Sequence, residues 1–211
     1  MGRAPGRLTG DIEDIELVVS YLSQHFPSAT RLFLCGMSTG AFLALAAAAR
    51  PPPQLPSRSP TRLRLCGVFV LACVDDIPAS VAVDFDAEQR RQAEEQGWCD
   101  KSFWPWTPGK SKEERWRLGS GYLQSYSCFP RALTLAHSLR APLLLLHGDR
   151  DTHVPVGHSQ RLASALAAAG AGFGTEEAVE LAVLAGGNHF LSSSKALKAS
   201  LAAVRKFVAR C

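Results

Sequence analysis

The sequence lacks the features that would place it in several special classes of protein. Its 23 basic and 19 acidic residues are interleaved, so no charged stripe indicates a nucleic-acid partner. Its six cysteines form no Cys-x-x-Cys pair, which argues against a zinc site. We therefore expect free thiols in a reducing compartment and no metal.

Long apolar runs and targeting signals are also missing. No apolar run reaches about 18 residues without a charge, so we expect no membrane span. The N-terminus has no apolar signal core, and we expect a cytoplasmic protein, or a mitochondrial one if an upstream segment is missing. The 211 residues are 46% hydrophobic, which is sufficient for one core of ordinary density. We accordingly predict a single domain over residues 1–211.

Helical and strand patterns alternate along the chain. The predicted strands cover residues 31–35, 65–73, 141–149 and 178–186. The predicted helices cover residues 11–25, 39–50, 156–169 and 194–208. Thr9 or Asp11 is the expected N-cap of the first helix. This alternation predicts an α/β fold with a mostly parallel sheet and helices on both of its faces.

Two segments interrupt the alternation. Residues 51–61 are rich in proline, serine and arginine, which predicts a surface insertion. Residues 84–126 are predicted to be irregular and rich in loops, as in a cap between two strands. Aromatic residues line pockets as readily as they fill cores. The candidates for a substrate pocket are Met37 and the four tryptophans of this cap, Trp98, Trp104, Trp106 and Trp116.

The stretch LCGMSTGAF, residues 34–42, joins a predicted strand to a predicted helix. Its Gly-x-Ser-x-Gly pattern is typical of a nucleophile elbow, which holds the serine above the carboxyl edge of the sheet. Ser38 would be the nucleophile, and Gly36 and Gly40 would avoid crowding by the strand and the helix. The backbone N–H of Thr39 would contribute to an oxyanion hole. The alternative is that Ser38 is an ordinary turn serine.

A serine hydroxyl becomes a good nucleophile only when a base takes its proton and a carboxylate orients that base. Asp149 and Asp151 follow the third predicted strand, and His189 follows the fourth. Asp75 and Asp76 follow the second strand and are weaker candidates for the acid. Parallel strands gather their carboxyl ends at one edge, so we expect these side chains to lie near the serine.

These motifs resemble the α/β-hydrolase superfamily, in which His-Gly-x-x-Asp-x-x-Val-Pro commonly carries the acid of a catalytic triad. The residues that match this pattern are His147, Gly148, Asp151, Val154 and Pro155. The resemblance implies that Asp151, rather than Asp149, is the acid. It also implies, through Gly-Asn-His-Phe, that His189 is the base. Among the other histidines, we expect His147 to be packed at its strand end, and His153 and His158 to lie at the surface.

The cap region is similar to that of small carboxylesterases, including relatives of palmitoyl-protein thioesterase and acyl-glucuronide esterase. The similarity lies in an acidic-basic helix that ends in Gly97 and Trp98, in the YLQSY segment, and in ALTLAHSLRAPLLLLHGDRD, which has a histidine before the strand. Members of the superfamily carry further strands before the first helix and a loop, often rich in His and Gly, that donates a second oxyanion N–H. This sequence contains no such loop. We therefore expect a fragment, a short form or a degenerate relative, with weak or no activity.

Together these features predict a serine hydrolase that cleaves a carboxylic ester or thioester through an acyl-enzyme on Ser38. Its partner would be a small-molecule substrate, and no cofactor is expected because water completes the second half-reaction. Two alternatives stay open. One is a catalytically silent or truncated hydrolase-like protein that binds a ligand or partner. The other is a serine aminopeptidase-like peptidase, since acyl transfer to serine serves esters and amides alike.

Overall fold

The computed structural model describes residues 8–50, 63–103, 114–129, 131–135, 138–139, 141–168 and 179–211. The chain divides into two compact units. The insert unit comprises Met1–Asp11 and Ile77–Phe129, and the sheet unit comprises Ile12–Asp76 and Pro130–Cys211. The surface insertion predicted at residues 51–61 lies outside the described residues.

Helices and strands follow one another along the chain. In order, they are α1 Leu8–His25, β1 Arg31–Met37, α2 Thr39–Ala49, β2 Arg64–Leu71, α3 Ile77–Asp84, α4 Ala87–Gln96, β3 Trp98–Phe103, β4 Glu114–Gly119, α5 Ser120–Ser127, α6 Ala132–Leu135, β5 Leu143–Gly148, α7 Gly157–Ala168, β6 Val179–Leu184 and α8 Ser194–Arg210. Among the described residues, no helix is long and apolar enough to cross a membrane.

The predicted N-cap of α1 is wrong, although the helix itself is present. α1 begins at Leu8, so Thr9 and Asp11 lie inside it rather than before it. Asp11 falls in the first turn, where a carboxylate interacts favourably with the positive end of the helix dipole. Asp11 therefore stabilises the N-terminal turn of α1 through its charge and not as a capping residue.

Four parallel strands form the sheet, in the order β1-β2-β5-β6. Met37 at the end of β1 lies beside Leu71 of β2, which in turn lies beside Leu146 of β5. Gly148 at the end of β5 lies beside Leu184 of β6. The carboxyl ends of all four strands therefore meet at one edge, which is where open α/β sheets bind ligands. The predicted α/β fold with a parallel sheet is confirmed.

The core of the sheet unit is centred on β5. Leu144 and Leu146 belong to a buried cluster with Phe207 of α8. Leu143 and Leu145, which point to the opposite face, are also fully buried. Burial on both faces explains why β5 is a continuous apolar run rather than an alternating one. Each such leucine contributes about 1.5–3 kcal/mol to the free energy of unfolding.

α2 packs closely on the strands that precede and follow it. The helix is rich in alanine, and Ala41, Phe42 and Leu45 are almost completely inaccessible to solvent. Short side chains allow the helix to contact both β1 and β2. This packing fixes the first turn of α2, and with it the position of Thr39, relative to the end of β1.

The insert unit is more regular than its sequence predicts. It contains α3, α4 and α5 and an antiparallel hairpin of β3 and β4. The N–H of Gln89 donates to Asp86 Oδ1 at 2.7 Å, and Gln89 Oε1 accepts from the N–H of Asp86 at 3.1 Å. Gly97 ends α4 in the left-handed region, with φ of 79°. The irregular structure predicted for residues 84–126 is therefore wrong for residues 84–103 and 114–126, and residues 104–113 lie outside the described residues. Local caps stabilise α4, which has little apolar periodicity.

Candidate active site

Ser38 lies at the sharp turn between β1 and α2. Its backbone has φ of 56° and ψ of −125°, a strained conformation that costs a residue with a side chain about 1–3 kcal/mol. The N–H of Ser38 donates to the carbonyl of Leu71 at 2.9 Å, which ties the turn to the neighbouring strand β2. The side chain of Ser38 makes no capping hydrogen bond to α2. Its hydroxyl is therefore not engaged in holding the helix.

The two glycines of the elbow differ in their steric roles. A Cβ atom on Gly36 would overlap the carbonyl oxygen of Gly40, so no larger residue fits there without movement of the backbone. A Cβ atom on Gly40 would meet no described atom within 4 Å. The predicted crowding therefore holds for Gly36, whereas Gly40 contributes the backbone that approaches it.

Thr39 is the first residue of α2. The N–H groups in the first turn of a helix have no acceptor within that helix, and the helix dipole places partial positive charge at this end. The N–H of Ser38 is bonded to β2, and the next N–H along the chain is that of Thr39. The assignment of Thr39 as an oxyanion-hole donor stays a prediction.

Asp151 follows β5 and is 9% exposed. Its Oδ1 accepts hydrogen bonds from the N–H groups of His153 and Val154, each at 2.9 Å. Its Oδ2 lies 2.7 Å from Nδ1 of His189. Burial alone would raise the pKa of Asp151, but the hydrogen bonds from Val154, His189 and His153 outweigh it and hold the pKa below its usual range. The carboxylate is therefore ionised and oriented.

His189 lies in the loop between β6 and α8, and 6% of its surface is exposed. Because a carboxylate only accepts, Nδ1 carries the proton in this pair, and Nε2 on the other side of the ring is left to accept one. The ring stacks on His153 with centroids 5.2 Å apart, and Phe190 packs edge-on at 5.1 Å. Leu191 anchors the loop in the core cluster of the sheet unit. His189 is thus fixed by its acid, its neighbouring rings and the core.

Asp149 has a different partner. Its Oδ1 accepts a hydrogen bond from the N–H of Gly186 at 2.7 Å, and Gly186 has φ of 71°. A Cβ atom on Gly148 would overlap the carbonyl oxygen of Gly187, so the end of β5 and the turn after β6 approach each other closely. Asp149 therefore holds the turn that leads to His189, and Asp151 contacts the histidine itself.

The two weaker acid candidates are held by cations. Asp75 is 4% exposed and accepts from Arg161 Nε at 2.7 Å and His158 Nδ1 at 2.5 Å. Asp76 pairs with Arg131 Nε at 2.9 Å. The expectation that His158 is a surface group is wrong, because its ring is only 24% exposed and is bound to Asp75. His153, in contrast, is exposed as expected.

The predicted substrate pocket stays a prediction. Trp98 and Trp116 belong to the hairpin of the insert unit, and the Arg117 guanidinium stacks on the Trp98 ring at 3.5 Å. Trp116 is 56% exposed. Trp104 and Trp106 lie outside the described residues. Met37, the residue before Ser38, is half-buried at the end of β1.

The candidate groups for covalent acyl transfer lie at the carboxyl ends of the parallel strands. Ser38 occupies an elbow, Thr39 offers an N–H donor, and Asp151 orients the imidazole of His189. Across the described ranges, no group of three His, Cys, Asp or Glu side chains is placed to hold a metal ion. The sequence did not reveal the partners of Asp75. The single available signal was the spacing of His158 and Arg161, which puts both on one face of α7.

Known proteins share this fold. The family model described as the prolyl oligopeptidase family matches residues 96–211, more than half of the chain. No curated protein sequence matches the chain. Est1E from Butyrivibrio proteoclasticus is similar in structure, with a TM-score of 0.65 and 19% identity, over 96% of this chain and 70% of that one.

Two further solved structures have the same fold. The esterase Pf2001 from Pyrococcus furiosus has a TM-score of 0.58 and 18% identity, over 98% of this chain and 64% of that one. The acylaminoacyl peptidase from Pyrococcus horikoshii has a TM-score of 0.56 and 16% identity, over 90% of this chain and 25% of that one. The chain thus spans less than two thirds of the length of each of these two proteins. The fold is the α/β-hydrolase fold that the sequence motifs predict.

Proposed function

The chain belongs to the prolyl oligopeptidase family, and we propose that it is a serine hydrolase that cleaves a carboxylic ester or thioester through an acyl-enzyme on Ser38. The observation that carries the proposal is the 2.7 Å hydrogen bond between Asp151 Oδ2 and His189 Nδ1. The pair lies in loops at the same sheet edge as the strained serine turn. A buried carboxylate that orients an imidazole at the sheet edge that also carries a serine elbow supports the proposal of a catalytic triad.

In the proposed reaction, Ser38 Oγ attacks the carbonyl carbon while His189 Nε2 takes the hydroxyl proton. The carbonyl π bond opens, and the oxyanion accepts a hydrogen bond from the N–H of Thr39. The tetrahedral intermediate then collapses, the bond to the leaving oxygen or sulfur breaks, and His189 returns the proton to the leaving group. Water repeats the sequence to release the acid and restore the serine.

The charge of Asp151 is what makes His189 an effective base. Proton transfer turns the imidazole into an imidazolium, and the ionised carboxylate at 2.7 Å stabilises that charge. The two backbone N–H groups on Oδ1 keep the carboxylate from rotating. In such triads, loss of the carboxylate's charge costs about 10⁴ in turnover.

A peptidase is the second candidate, and the family description favours it. The same groups serve an amide, provided that His189 protonates the leaving amine before the C–N bond breaks. The chain lies in a family named for oligopeptide cleavage, and its structural neighbours include both an esterase and a peptidase. The bond that is cleaved therefore has to be distinguished by experiment.

The first test is covalent labelling by a fluorophosphonate, in which an activated serine displaces fluoride and forms an O–P bond. We expect wild type to be labelled and Ser38→Ala to be unlabelled. Ser127→Ala is the matched control, because Ser127 is exposed and its hydroxyl only donates to the carbonyl of Gln124. Equal labelling of Ser38→Ala and wild type would disprove the nucleophile. No labelling of folded wild type would support the silent binding protein instead.

The second test separates the two bonds. Initial rates are measured with a p-nitrophenyl acyl ester and with an N-acylated amino-acid p-nitroanilide, each at several concentrations. The proposal expects a kcat/KM for the ester that exceeds the value for the anilide and is abolished in Ser38→Ala. A larger kcat/KM for the anilide, equally dependent on Ser38, would identify a peptidase.

A further inference from the structure

His147, at the end of β5, is fully buried and has two strong hydrogen bonds. Its Nε2 lies 2.7 Å from the carbonyl oxygen of Val154, and its Nδ1 lies 2.7 Å from Oγ of Ser159. A carbonyl oxygen accepts only, so Nε2 carries a proton. Because burial lowers the pKa of His147, the ring holds no second proton and Nδ1 accepts from the hydroxyl of Ser159. The ring is therefore a neutral imidazole in one defined tautomer.

Both partners of His147 belong to the segment that carries the proposed acid. Val154 lies three residues after Asp151 and donates its N–H to Asp151 Oδ1 at 2.9 Å. Ser159 is fully buried in the first turns of α7, directly after this loop. The imidazole of His147 thus connects the middle of the acid loop with the helix that follows it.

The same ring also approaches the carboxylate itself. Nε2 of His147 lies 3.5 Å from Asp151 Oδ2, which is the oxygen that accepts from His189. Burial lowers the pKa of His147, against the opposing effects of the Val154 carbonyl and Asp151. Because the His147 ring is neutral, the negative charge of Asp151 interacts mainly with His189. An imidazolium at this distance would also attract the carboxylate and weaken its interaction with His189.

We propose that His147 is a positioning residue for the active site, which holds Asp151 in place through Val154 and Ser159 and presents an uncharged face to its carboxylate. The proposal rests on the function proposed above. The sequence predicts only that His147 is packed at the end of its strand. The proposal adds a role in the reaction. Without the ring, the carbonyl of Val154 and the hydroxyl of Ser159 would be buried without these partners, and the loop would shift to satisfy them.

A second polar contact on α7 supplies an internal control. His158, the neighbour of Ser159, bonds to Asp75 after β2, and Arg161 bonds to the same carboxylate. These contacts hold the same end of the same helix. His158 is hydrogen-bonded to Asp75, whereas His147 is hydrogen-bonded to the carbonyl of Val154 in the acid loop. Variants at the two histidines therefore separate helix anchoring from positioning of the acid.

The experiment compares His147→Phe, His147→Gln and His158→Gln in steady-state kinetics with a p-nitrophenyl ester. Phenylalanine preserves ring bulk and removes both hydrogen bonds, so kcat should fall about 10- to 100-fold with little change in KM. Glutamine retains a donor at about the position of Nε2 and should recover most of that loss. His158→Gln should lower the melting temperature and leave kcat within about twofold of wild type.

A readout that does not need turnover accompanies the kinetics. The proton in the 2.7 Å hydrogen bond between His189 and Asp151 should be deshielded and give a separate downfield ¹H NMR signal. We expect this signal to shift or broaden in His147→Phe and to be unchanged in His158→Gln. If His147→Phe does not fold, Ser159→Ala removes only the hydroxyl donor and should still shift the signal and reduce kcat several-fold.

Three results would overturn the proposal. The first is that folded His147→Phe has the kcat and the NMR signal of wild type. The second is that Ser159→Ala also has both unchanged. The third is that His158→Gln loses as much kcat as His147→Phe. Failure of the proposed function would give a different result, because wild type would then not be labelled by the fluorophosphonate. The NMR signals of the variants could still be compared in that case. The two ideas can therefore fail separately.

Discussion

Asp149 and Asp151, two residues apart on one loop, bind to opposite ends of the turn that carries His189. Asp149 Oδ1 accepts from the N–H of Gly186, before the histidine, and Asp151 Oδ2 accepts from the histidine ring. One carboxylate therefore shapes the loop, and the other contacts the proposed base. The difference makes their substitutions distinguishable by kinetics.

Asp151→Asn should reduce kcat about 10⁴-fold, because an amide group favours the wrong imidazole tautomer and does not stabilise the imidazolium. Asp149→Asn retains an oxygen that can accept from Gly186 and should cost far less, as should Asp76→Asn. The measurement is ester turnover in purified, folded variants. A larger loss in Asp149→Asn than in Asp151→Asn would mean that the acid has been placed two residues too late.

Gly36→Ala should disrupt the elbow. The added Cβ would overlap the carbonyl oxygen of Gly40, and relief requires that β1 and α2 move apart, at a cost of about 1–3 kcal/mol or more. The free energy of unfolding is measured by urea denaturation. Gly121→Ala is the matched control, since a Cβ there meets no described atom within 4 Å and alanine favours the helix. Equal stability of Gly36→Ala and wild type would contradict the steric argument.

Stability should fall in acid because of Asp75. Burial would raise its pKa, but Arg161 and His158 outweigh burial and lower the pKa below the usual 3.8. A carboxyl with a depressed folded-state pKa stabilises the protein above its unfolded-state pKa, and this contribution is lost as the pH falls through the folded-state value. We therefore expect the free energy of unfolding of wild type to decline below about pH 4.

The control for this acid sensitivity is Asp75→Asn, which cannot titrate at that position. It should be less stable than wild type at pH 7 and show a shallower decline between about pH 4 and pH 2. Some decline should persist, because the pKa of Asp151 is also lowered. Parallel curves for the two proteins would show that Asp75 does not contribute to the acid sensitivity.

The tryptophans of the insert unit should influence the choice of acyl chain. Alanine variants at Trp98, Trp104, Trp106 and Trp116 are compared on p-nitrophenyl esters of increasing chain length. We expect at least one variant to shift the preferred length, because aromatic residues line apolar pockets. Phe26→Ala, which removes a ring that is 52% exposed in the sheet unit, is the control. An unchanged profile in all four variants would assign the tryptophans a structural role.

The sheet and the candidate site could be predicted from the sequence for a shared physical reason. A strand buried on both faces must be apolar throughout, so β5 appears as the unbroken run that contains Leu143 to Leu146. The polar residues directly after such a run, Asp149 and Asp151, then stand out at the functional edge. The strain at Ser38 was likewise implied by the glycine at 36, which sterics require.

Other features could not be predicted because they depend on contacts between distant segments. Asp75 and Arg161 are separated by 86 positions along the chain, and no local pattern pairs them. The hydroxyl of Ser159 meets His147 only because α7 folds back on the sheet. Helix α4 is predicted only through the resemblance of the cap region to small carboxylesterases. Its charged sequence has little apolar periodicity, although the cap formed by Asp86 and Gln89 was visible in the sequence.

Val154 uses both of its backbone polar groups in the acid loop, one toward Asp151 and one toward His147. The next residue, Pro155, keeps Val154 out of the helical region, so the valine has few backbone conformations even in the unfolded chain. Folding this segment therefore loses less conformational entropy than folding an ordinary loop. Pro155→Ala would leave both hydrogen bonds possible yet forfeit about 0.4–1 kcal/mol of this preorganisation. The Val-Pro pair thus makes the orientation of Asp151 partly a property of the local chain.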